Sequence, residues 1–433
     1  MTRLGPVDHF LLMVDRAARR AGLPGNLSAI ALELEGVPAA GRVEAAFAAL
    51  VPRLPRLRAR LALVPILGWS RWKDVPARGP AHLVRVLDRR DPDAPAAAAA
   101  AINDPLDPGR VPLVELRLAP APRGGSFAVL RWFHPLADAR GADLLLAALD
   151  EEGRGRRPAL DGPEPFARVE RGEFSGWRGF RAARALLEGK GEPPPVLLAP
   201  KGTSVRGYGL VPFALDERET RAQEAVSRGA FGGTGENEHL LLASFRALHR
   251  FQVRRGAPRG PYRIPLTANL RAPGAVGPVL GNHLAFFHLR ATAPEVEDSA
   301  ALARSIRGQG LRALEAGEDR AMHALLRAGR WLPLRRYERE RFLPNGAPRE
   351  SIWFSNAGEI QAGRDRWFGC SIRDVGVATA VPHPPGVLLL FFRRAGTLRG
   401  AVVCADEVLD REAAFRLAEF LREELLAAVP PRE

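Results

Sequence analysis

Residues 131–146 read RWFHPLADARGADLLL, and this stretch decides how the rest of the chain is interpreted. The apolar run SFAVLRWF leads directly into His134, which predicts a buried strand that ends at this histidine. Asp138 follows four residues later, and the segment GADLLLAALDEEG has helical spacing and ends at a glycine. The sequence therefore predicts a strand, a short loop and a helix, with His134 and Asp138 in the loop.

A histidine at the end of a strand presents its ring beyond the edge of the sheet. Because its unperturbed pKa is about 6.5, the imidazole is available as a neutral base near neutral pH. A single histidine is more often a packed or hydrogen-bonded structural residue. The spacing alone therefore leaves both a catalytic and a structural interpretation of His134 open.

The length and composition indicate a globular chain of two domains. The 433 residues exceed one ordinary core, and 46% of them are hydrophobic and 26% charged. The net charge is +14, but only Lys73, Lys190 and Lys201 among the 63 basic residues are lysines. The arginines are scattered, without a basic run interleaved with aromatic residues. We therefore do not expect nucleic acid as a partner.

The cysteines and histidines do not indicate a metal site or a disulfide framework. Cys370 and Cys404 are the only two cysteines, and we expect buried or half-buried thiols. No histidine pair has metal-ligand spacing with a carboxylate, so we predict no metal. The N-terminus lacks a signal-peptide pattern, and no run of about 18 apolar residues occurs. We expect a cytoplasmic protein, with peripheral membrane contact left open.

The order of predicted elements divides the chain into two similar parts. Residues 1–175 alternate helices and strands and contain the His134 loop. Residues 176–205 belong to a region rich in proline and glycine, which we interpret as a connector. Residues 206–433 repeat the order strand–helix–strand–strand, with Gly281 and Asn282 in a turn. They continue with helices over 298–317 and 319–343, three strand segments and a closing helix over 410–428.

The segment FHPLADARGADLLLAAL resembles the HHxxxDG motif of a large acyltransferase superfamily. This superfamily includes chloramphenicol acetyltransferase, nonribosomal peptide condensation domains and bacterial wax ester synthase/diacylglycerol acyltransferases. His134 matches the second motif histidine, which is the catalytic one, and Asp138 matches the motif aspartate. Phe133 replaces the first histidine and Ala139 replaces the glycine. Since alanine tolerates φ > 0 less well than glycine, we expect Ala139 to tighten the loop, with Gly141 taking over part of the glycine's role.

Other segments are similar to the same superfamily and follow in the same order. They are PVDHFLLMVD with the strand and helix after it, NDPLDPGRVPLVELRL, IPLTANLRAPG with LGNHLAFF, and SIWFSNAGEI. The DFGWG-type motif of plant acyltransferases is absent. The resemblance implies an α/β fold in which each half is a two-layer α/β sandwich. Two chloramphenicol acetyltransferase-like subdomains would then form a cleft or channel, and they would exchange elements.

The resemblance also implies an activity and a set of site residues. An acyl group would move from a thioester, either acyl-CoA or a carrier-bound acyl group, to a hydroxyl or amine acceptor, with His134 as the general base. Asp138 would support the site by pairing with Arg271. Ser355 and Asn356 are the candidates for stabilising the oxyanion or contacting the substrate. The protein would bind no permanent cofactor, would be a monomer and would use an acyl carrier protein in trans if the donor is carrier-bound.

Both the activity and the substrates stay open at this point. The differences at Phe133 and Ala139 also fit a catalytically inactive protein that binds an acyl carrier or a lipid. The sequence does not name the acyl donor or the acceptor. Wax ester or triacylglycerol synthesis is therefore one option within lipid or secondary metabolism.

Overall fold

The strand that ends at His134 lies in the middle of a six-stranded sheet in the computed structural model. The structure describes residues 2–64, 69–75, 83–110, 112–162, 174–187, 195–198, 207–233, 235–272, 274–339, 342 and 347–429.

Strands and helices alternate along most of these residues. The strands, in chain order, are β1 (Thr2–Arg3), β2 (Leu27–Glu35), β3 (Ala59–Val64), β4 (Trp69–Asp74), β5 (Val84–Val86), β6 (Val114–Pro120), β7 (Ser126–Phe133), β8 (Tyr208–Ala214), β9 (Tyr262–Asn269), β10 (Leu284–Ala291), β11 (Trp353–Glu359), β12 (Arg366–Trp367), β13 (Cys370–Thr379), β14 (Val387–Arg394) and β15 (Thr397–Ala405). The helices are α1 (Pro6–Arg20), α2 (Ala40–Leu50), α3 (Ala94–Asn103), α4 (Ala139–Gly153), α5 (Gly176–Leu187), α6 (Glu217–Phe231), α7 (Glu236–Arg254), α8 (Ala293–Glu297), α9 (Ser299–Glu315), α10 (Glu318–Gly329), α11 (Leu334–Arg339) and α12 (Arg411–Leu426).

The six-stranded sheet has the order β12-β13-β2-β7-β6-β5. Every residue of β7 is buried, and so is every residue of β2 except the last, as expected for central strands covered on both faces. The predicted pairing of VPLVELRLAP with SFAVLRWF is confirmed by the antiparallel ladder between β6 and β7. The central position of β7 fixes the point at which His134 leaves the sheet.

The second half of the chain forms a four-stranded sheet with the order β11-β14-β15-β8 and a hairpin of β9 and β10. Helix α12 packs on β8 and β15 and also contacts α7. Strand β13 belongs to the second half of the sequence, but it pairs with β2 of the first half. The expected exchange of an element between the halves is therefore present.

Helices pack closely on the sheets at positions with small side chains. Helix α3, which is rich in alanine, packs on β2, β7 and β13. A Cβ added at Gly376 of β13 would lie 2.3 Å from the carbonyl oxygen of Ala94, so glycine permits this contact. Helix α1 contacts both α10 and the turn that contains His134, and it therefore joins the two halves near the site.

The predicted α/β fold class, with a sheet in each half of the chain, is confirmed. The predicted boundaries at 1–175, 176–205 and 206–433 stay predictions, because much of the connector lies outside the described residues. Cys370 is partly exposed, Cys404 is buried, and both are free thiols. The described helices are too short or too polar to cross a lipid bilayer.

The helices of the structure differ from the predicted helices at two places. The single helix predicted over 319–343 is divided into α10 and α11, which are separated at Pro333, a residue that lacks a backbone N–H. Helix α6 was not predicted, because few of its residues are apolar. Its signal is a capping box, in which Asp216 accepts from the Glu219 N–H at 2.7 Å and Glu219 accepts from the Asp216 N–H at 3.0 Å.

Candidate active site

Strand β7 ends at Phe133, and His134 begins a short 3₁₀ helix, His134–Leu136. The indole Nε1 of Trp132 donates to the carbonyl oxygen of Ala137 at 2.7 Å and closes this loop. Trp132 and His134 line a cavity of about 170 Å³, whereas Phe133 is fully buried in the core. Neighbouring side chains of a strand point to opposite faces, so the position of the superfamily's first histidine faces packing here.

The ring of His134 is half-buried at the edge of the cavity. Its Nδ1 is enclosed by the protein and has no hydrogen-bond partner among the described residues, so Nε2 is the nitrogen that can meet a substrate. The backbone is held on both sides, because His134 N donates to Asn26 O at 2.9 Å and His134 O accepts from Asn282 Nδ2 at 3.1 Å. Burial lowers the pKa of His134, and the opposing effect of the Asp138 charge is smaller. The ring is therefore neutral at pH 7.

Asp138 lies at the N-terminal cap of α4 and forms the predicted ion pair with Arg271. Arg271 Nη1 donates to both carboxylate oxygens, at 2.9 and 2.8 Å, and both side chains are buried. The carboxylate also accepts from the backbone N–H groups of His283 at 2.8 Å and Gly141 at 2.7 Å. Burial alone would raise the pKa of Asp138, but Arg271 and the two N–H groups outweigh it and lower the pKa. Asp138 is therefore an anion whose two carboxylate oxygens both accept hydrogen bonds.

The loop after β7 is also joined to the second half through the backbone. Ala137 and Gly281 form a parallel bridge, and Gly281 N donates to Leu136 O at 2.8 Å. Gly281 has φ +103°, and Asn282 Nδ2 donates to Asp8 Oδ1 at 3.0 Å. The sequence interpretation of Gly281 and Asn282 as a turn missed this role. The only signals were their place in the segment LGNHLAFF and the place of Asp8 in the segment PVDHFLLMVD.

Ala139 does not strain the loop, so the expectation that it would tighten the loop was wrong. It is the first residue of α4, and the non-glycine residues of the described chain with positive φ are Gln361, Phe368 and Ala395. Gly141 is required for a different reason. A Cβ at this position would lie 2.3 Å from the carbonyl oxygen of Val279. The close approach of the second half therefore selects glycine at 141 and not at 139.

Ser355 and Asn356 both border the His134 cavity from β11. Ser355 lies opposite Leu390 of β14, which also lines the cavity. Asn356 Nδ2 donates to Asn237 Oδ1 on α7 at 2.9 Å, and its Oδ1 accepts from Gly358 N at 3.0 Å. One of the two N–H donors of the Asn356 amide is therefore already used by Asn237, so Ser355 is the first candidate of the two.

The described residues contain no group of three or more His, Cys, Asp or Glu side chains placed to hold a metal ion. Several of the other described histidines bond to protein side chains. His288 contacts Glu350 at 2.9 Å, and His239 contacts Gln223 at 2.9 Å.

No protein-family model and no curated protein matches the sequence. Solved structures do share the fold. The first condensation domain of the calcium-dependent antibiotic synthetase has a TM-score of 0.73 and 17% identity, over 99% of this chain and 98% of that chain. The SgcC5 protein of Streptomyces globisporus has a TM-score of 0.69 and 19% identity, over 99% and 100%. Trichothecene 15-O-acetyltransferase of Fusarium sporotrichioides has a TM-score of 0.66 and 12% identity, over 98% and 95%. The fold is therefore that of condensation domains and related acetyltransferases.

Removing Arg271 tests the buried ion pair. Arg271→Met should lower the free energy of unfolding by about 3–5 kcal/mol, because it leaves the Asp138 charge buried without its partner. The double variant Asp138→Asn, Arg271→Met should recover part of this loss, since no charge is then stranded. Denaturant unfolding of both variants measures the effect. A loss below about 1 kcal/mol for Arg271→Met would show that the pair does not hold the halves together.

The two small residues of the α4 N-terminus should respond differently to substitution. Ala139→Gly should lower the free energy of unfolding by at most about 1 kcal/mol, the usual helical difference between these residues. Gly141→Ala should cost about 1–3 kcal/mol, because its Cβ meets the Val279 carbonyl. Thermal or denaturant unfolding compares the two. Equal effects would remove the argument that close packing selects Gly141.

Proposed function

We propose that this protein is an acyltransferase with His134 as its general base. The donor is a thioester, either acyl-CoA or an acyl group on a carrier protein, and the acceptor is a hydroxyl or an amine. His134 Nε2 takes the proton of the acceptor while the acceptor oxygen or nitrogen forms a bond to the thioester carbonyl carbon. When the tetrahedral intermediate collapses, the carbon–sulfur bond breaks and His134 returns the proton to the leaving thiolate.

The placement of His134 is the observation that carries this proposal. A neutral imidazole at the edge of a cavity between the two halves has the protonation state that a base needs. Its backbone is fixed by Asn26 and Asn282. The ion pair of Asp138 and Arg271 holds the start of α4, which follows His134 in the chain. This support is the kind of preorganisation that keeps a base within reach of its substrate.

The developing oxyanion requires a hydrogen-bond donor on the opposite side of the cavity. Ser355 is our candidate, because it borders the cavity and its neighbour Asn356 is bonded to Asn237. The similarity of the fold to a condensation domain and to a trichothecene O-acetyltransferase supports acyl transfer as the class of reaction. It does not select the donor or the acceptor.

A catalytically inactive binding protein is the competing function, and it was suggested by Phe133 and Ala139. Phe133 is fully buried in the core, and Ala139 begins a regular helix. With both differences present, the His134 ring still borders the cavity. We therefore favour the active enzyme.

Replacing His134 tests the base directly. His134→Ala should lower acyl transfer by about 100- to 10,000-fold, the usual contribution of a general base, while the protein remains folded. The assay uses acyl-CoA and carrier-bound donors with alcohol and amine acceptors. His249→Gln, on α7 and outside the His134 cavity, is the matched control and should retain transfer. Full transfer by His134→Ala would refute the mechanism, and failure of the wild type with every donor would favour the inactive binding protein.

The two candidates for the oxyanion donor should separate kinetically. Ser355→Ala should lower kcat by about 100-fold or more with little change in KM, because the contact is made to charge that develops in the transition state. Asn356→Ala should have a smaller effect on kcat, since its amide already bonds to Asn237. Steady-state kinetics on both variants measures this. The reverse order of effects would assign the donor to Asn356.

A further inference from the structure

A second and larger chamber of about 850 Å³ lies next to the His134 cavity. Residues of α1, α5, α10 and β10 line it, and Trp177 and Trp331 are exposed among its lining residues. Phe10, Phe286 and Trp353 line both spaces. Their ring centroids lie 5.5 to 6.2 Å apart, so this aromatic cluster forms the boundary between the cavity and the chamber.

One face of the β9–β10 hairpin runs from the His134 cavity into the chamber. Thr267 lies opposite Phe286, and Arg263 lies four residues earlier on the same strand. Thr267 lines the cavity and Arg263 lines the chamber. At about 3.4 Å per residue, the two positions are separated by about 14 Å along one face of the strand. A single elongated molecule in the chamber can therefore reach the cavity.

Arg263 is a buried arginine that lines this chamber. It is 8% exposed, and its Nε has no hydrogen-bond partner. Within the described chain its guanidinium makes no hydrogen bond, and the bond at Arg263 N to Ser351 belongs to the backbone. Glu350 also lines the chamber and attracts Arg263, but its Oε1 is held by His288 Nε2 at 2.9 Å.

An arginine in this setting is energetically unfavourable by itself. Burial lowers the pKa of Arg263, and the nearby charge of Arg349 lowers it further. The charges of Glu350 and Glu318 oppose this effect only in part. A buried charge requires a partner, and the planar guanidinium fork matches a carboxylate, which accepts two parallel hydrogen bonds. The remaining lining is largely aromatic and aliphatic, including Phe180, Phe286, Leu325 and Leu332. The chamber therefore suits a ligand with an apolar body and one anionic end.

We propose that the substrate in this chamber is an amphiphile that carries a carboxylate at the end remote from the reacting group, and that Arg263 binds this carboxylate. The apolar body lies along the β9–β10 face, and the reacting end passes the aromatic cluster to reach His134. This inference deepens the proposed function and rests on it for the identity of the reacting end. The binding of the carboxylate is a separate property of the chamber.

The experiment compares the binding of two probes to the full-length protein, decanoate and methyl decanoate, which share the same acyl chain and differ in the charge of the end group. Binding is followed by calorimetry and by the fluorescence of the tryptophans at the chamber. Wild type should bind decanoate at least about 10-fold more tightly than the ester, as expected for a hydrogen-bonded charge pair. Arg263→Met should lose this preference by weakening decanoate alone. Arg327→Met, an exposed arginine that lines the same chamber, is the matched control and should keep it.

Several results would overturn the proposal. They are equal affinity of the wild type for both probes, no binding of either probe, a preference that persists in Arg263→Met, and an equal loss in Arg327→Met. Retained binding of the ester by Arg263→Met shows that the chamber is intact. Arg263→Gln is a second variant for the same comparison of decanoate with the ester. Loss of ester binding in both variants would also contradict the proposal.

The test separates this inference from the proposed function. His134→Ala should bind decanoate as the wild type does, because the proposed contact is with Arg263. Normal binding without acyl transfer by any donor would therefore count against the enzyme alone. Normal transfer without the preference for decanoate would count against the role of Arg263 alone.

Discussion

The buried ion pair between Asp138 and Arg271 joins the two halves of the chain at the point where β7 ends. Burying two charges is unfavourable unless their hydrogen-bonding groups are satisfied. Here the Asp138 carboxylate accepts four hydrogen bonds, two from Arg271 and one each from the backbone of His283 and Gly141. The three from Arg271 and His283 hold the second half close to the start of α4, which explains why Gly141 has no room for a side chain. We propose that this contact, four residues after His134, supports the position of the His134 ring.

The arrangement separates three tasks among neighbouring elements. Strand β7 and its loop carry the proposed base, β11 carries the candidate oxyanion donor Ser355, and the β9–β10 hairpin connects this cavity to the larger chamber. The aromatic cluster of Phe10, Phe286 and Trp353 is shared by the two spaces. A thioester reaction would therefore take place beside a space large enough to select its substrate. The buried Arg263 gives that space a chemical preference as well as a size.

The local periodicity of the sequence was sufficient to predict most strands and helices, because β2, β7 and α7 carry clear apolar patterns. The pairing of Asp138 with Arg271 was predicted from the resemblance of two short segments, 133 residues apart. Asn282 and Asp8 were missed because their roles are created by a tertiary contact and not by spacing along the chain. Helix α6 lacks a strong apolar face, and Arg263 has no local sequence feature that separates it from the other arginines. The effect of Ala139 was misjudged because the motif gives no backbone angle.

The central claim is that the neutral ring of His134 is the base that accepts the substrate proton. The most direct measurement compares the pH dependence of kcat/KM with an NMR titration of His134 in the same protein. Burial disfavours the charged ring and lowers its pKa below the ordinary 6.5, so the base is present above this pKa and is lost as the pH falls through it. The account predicts that kcat/KM declines on the acid side with the same pKa as His134, below 6.5. A rate that stays constant while His134 becomes protonated would contradict it.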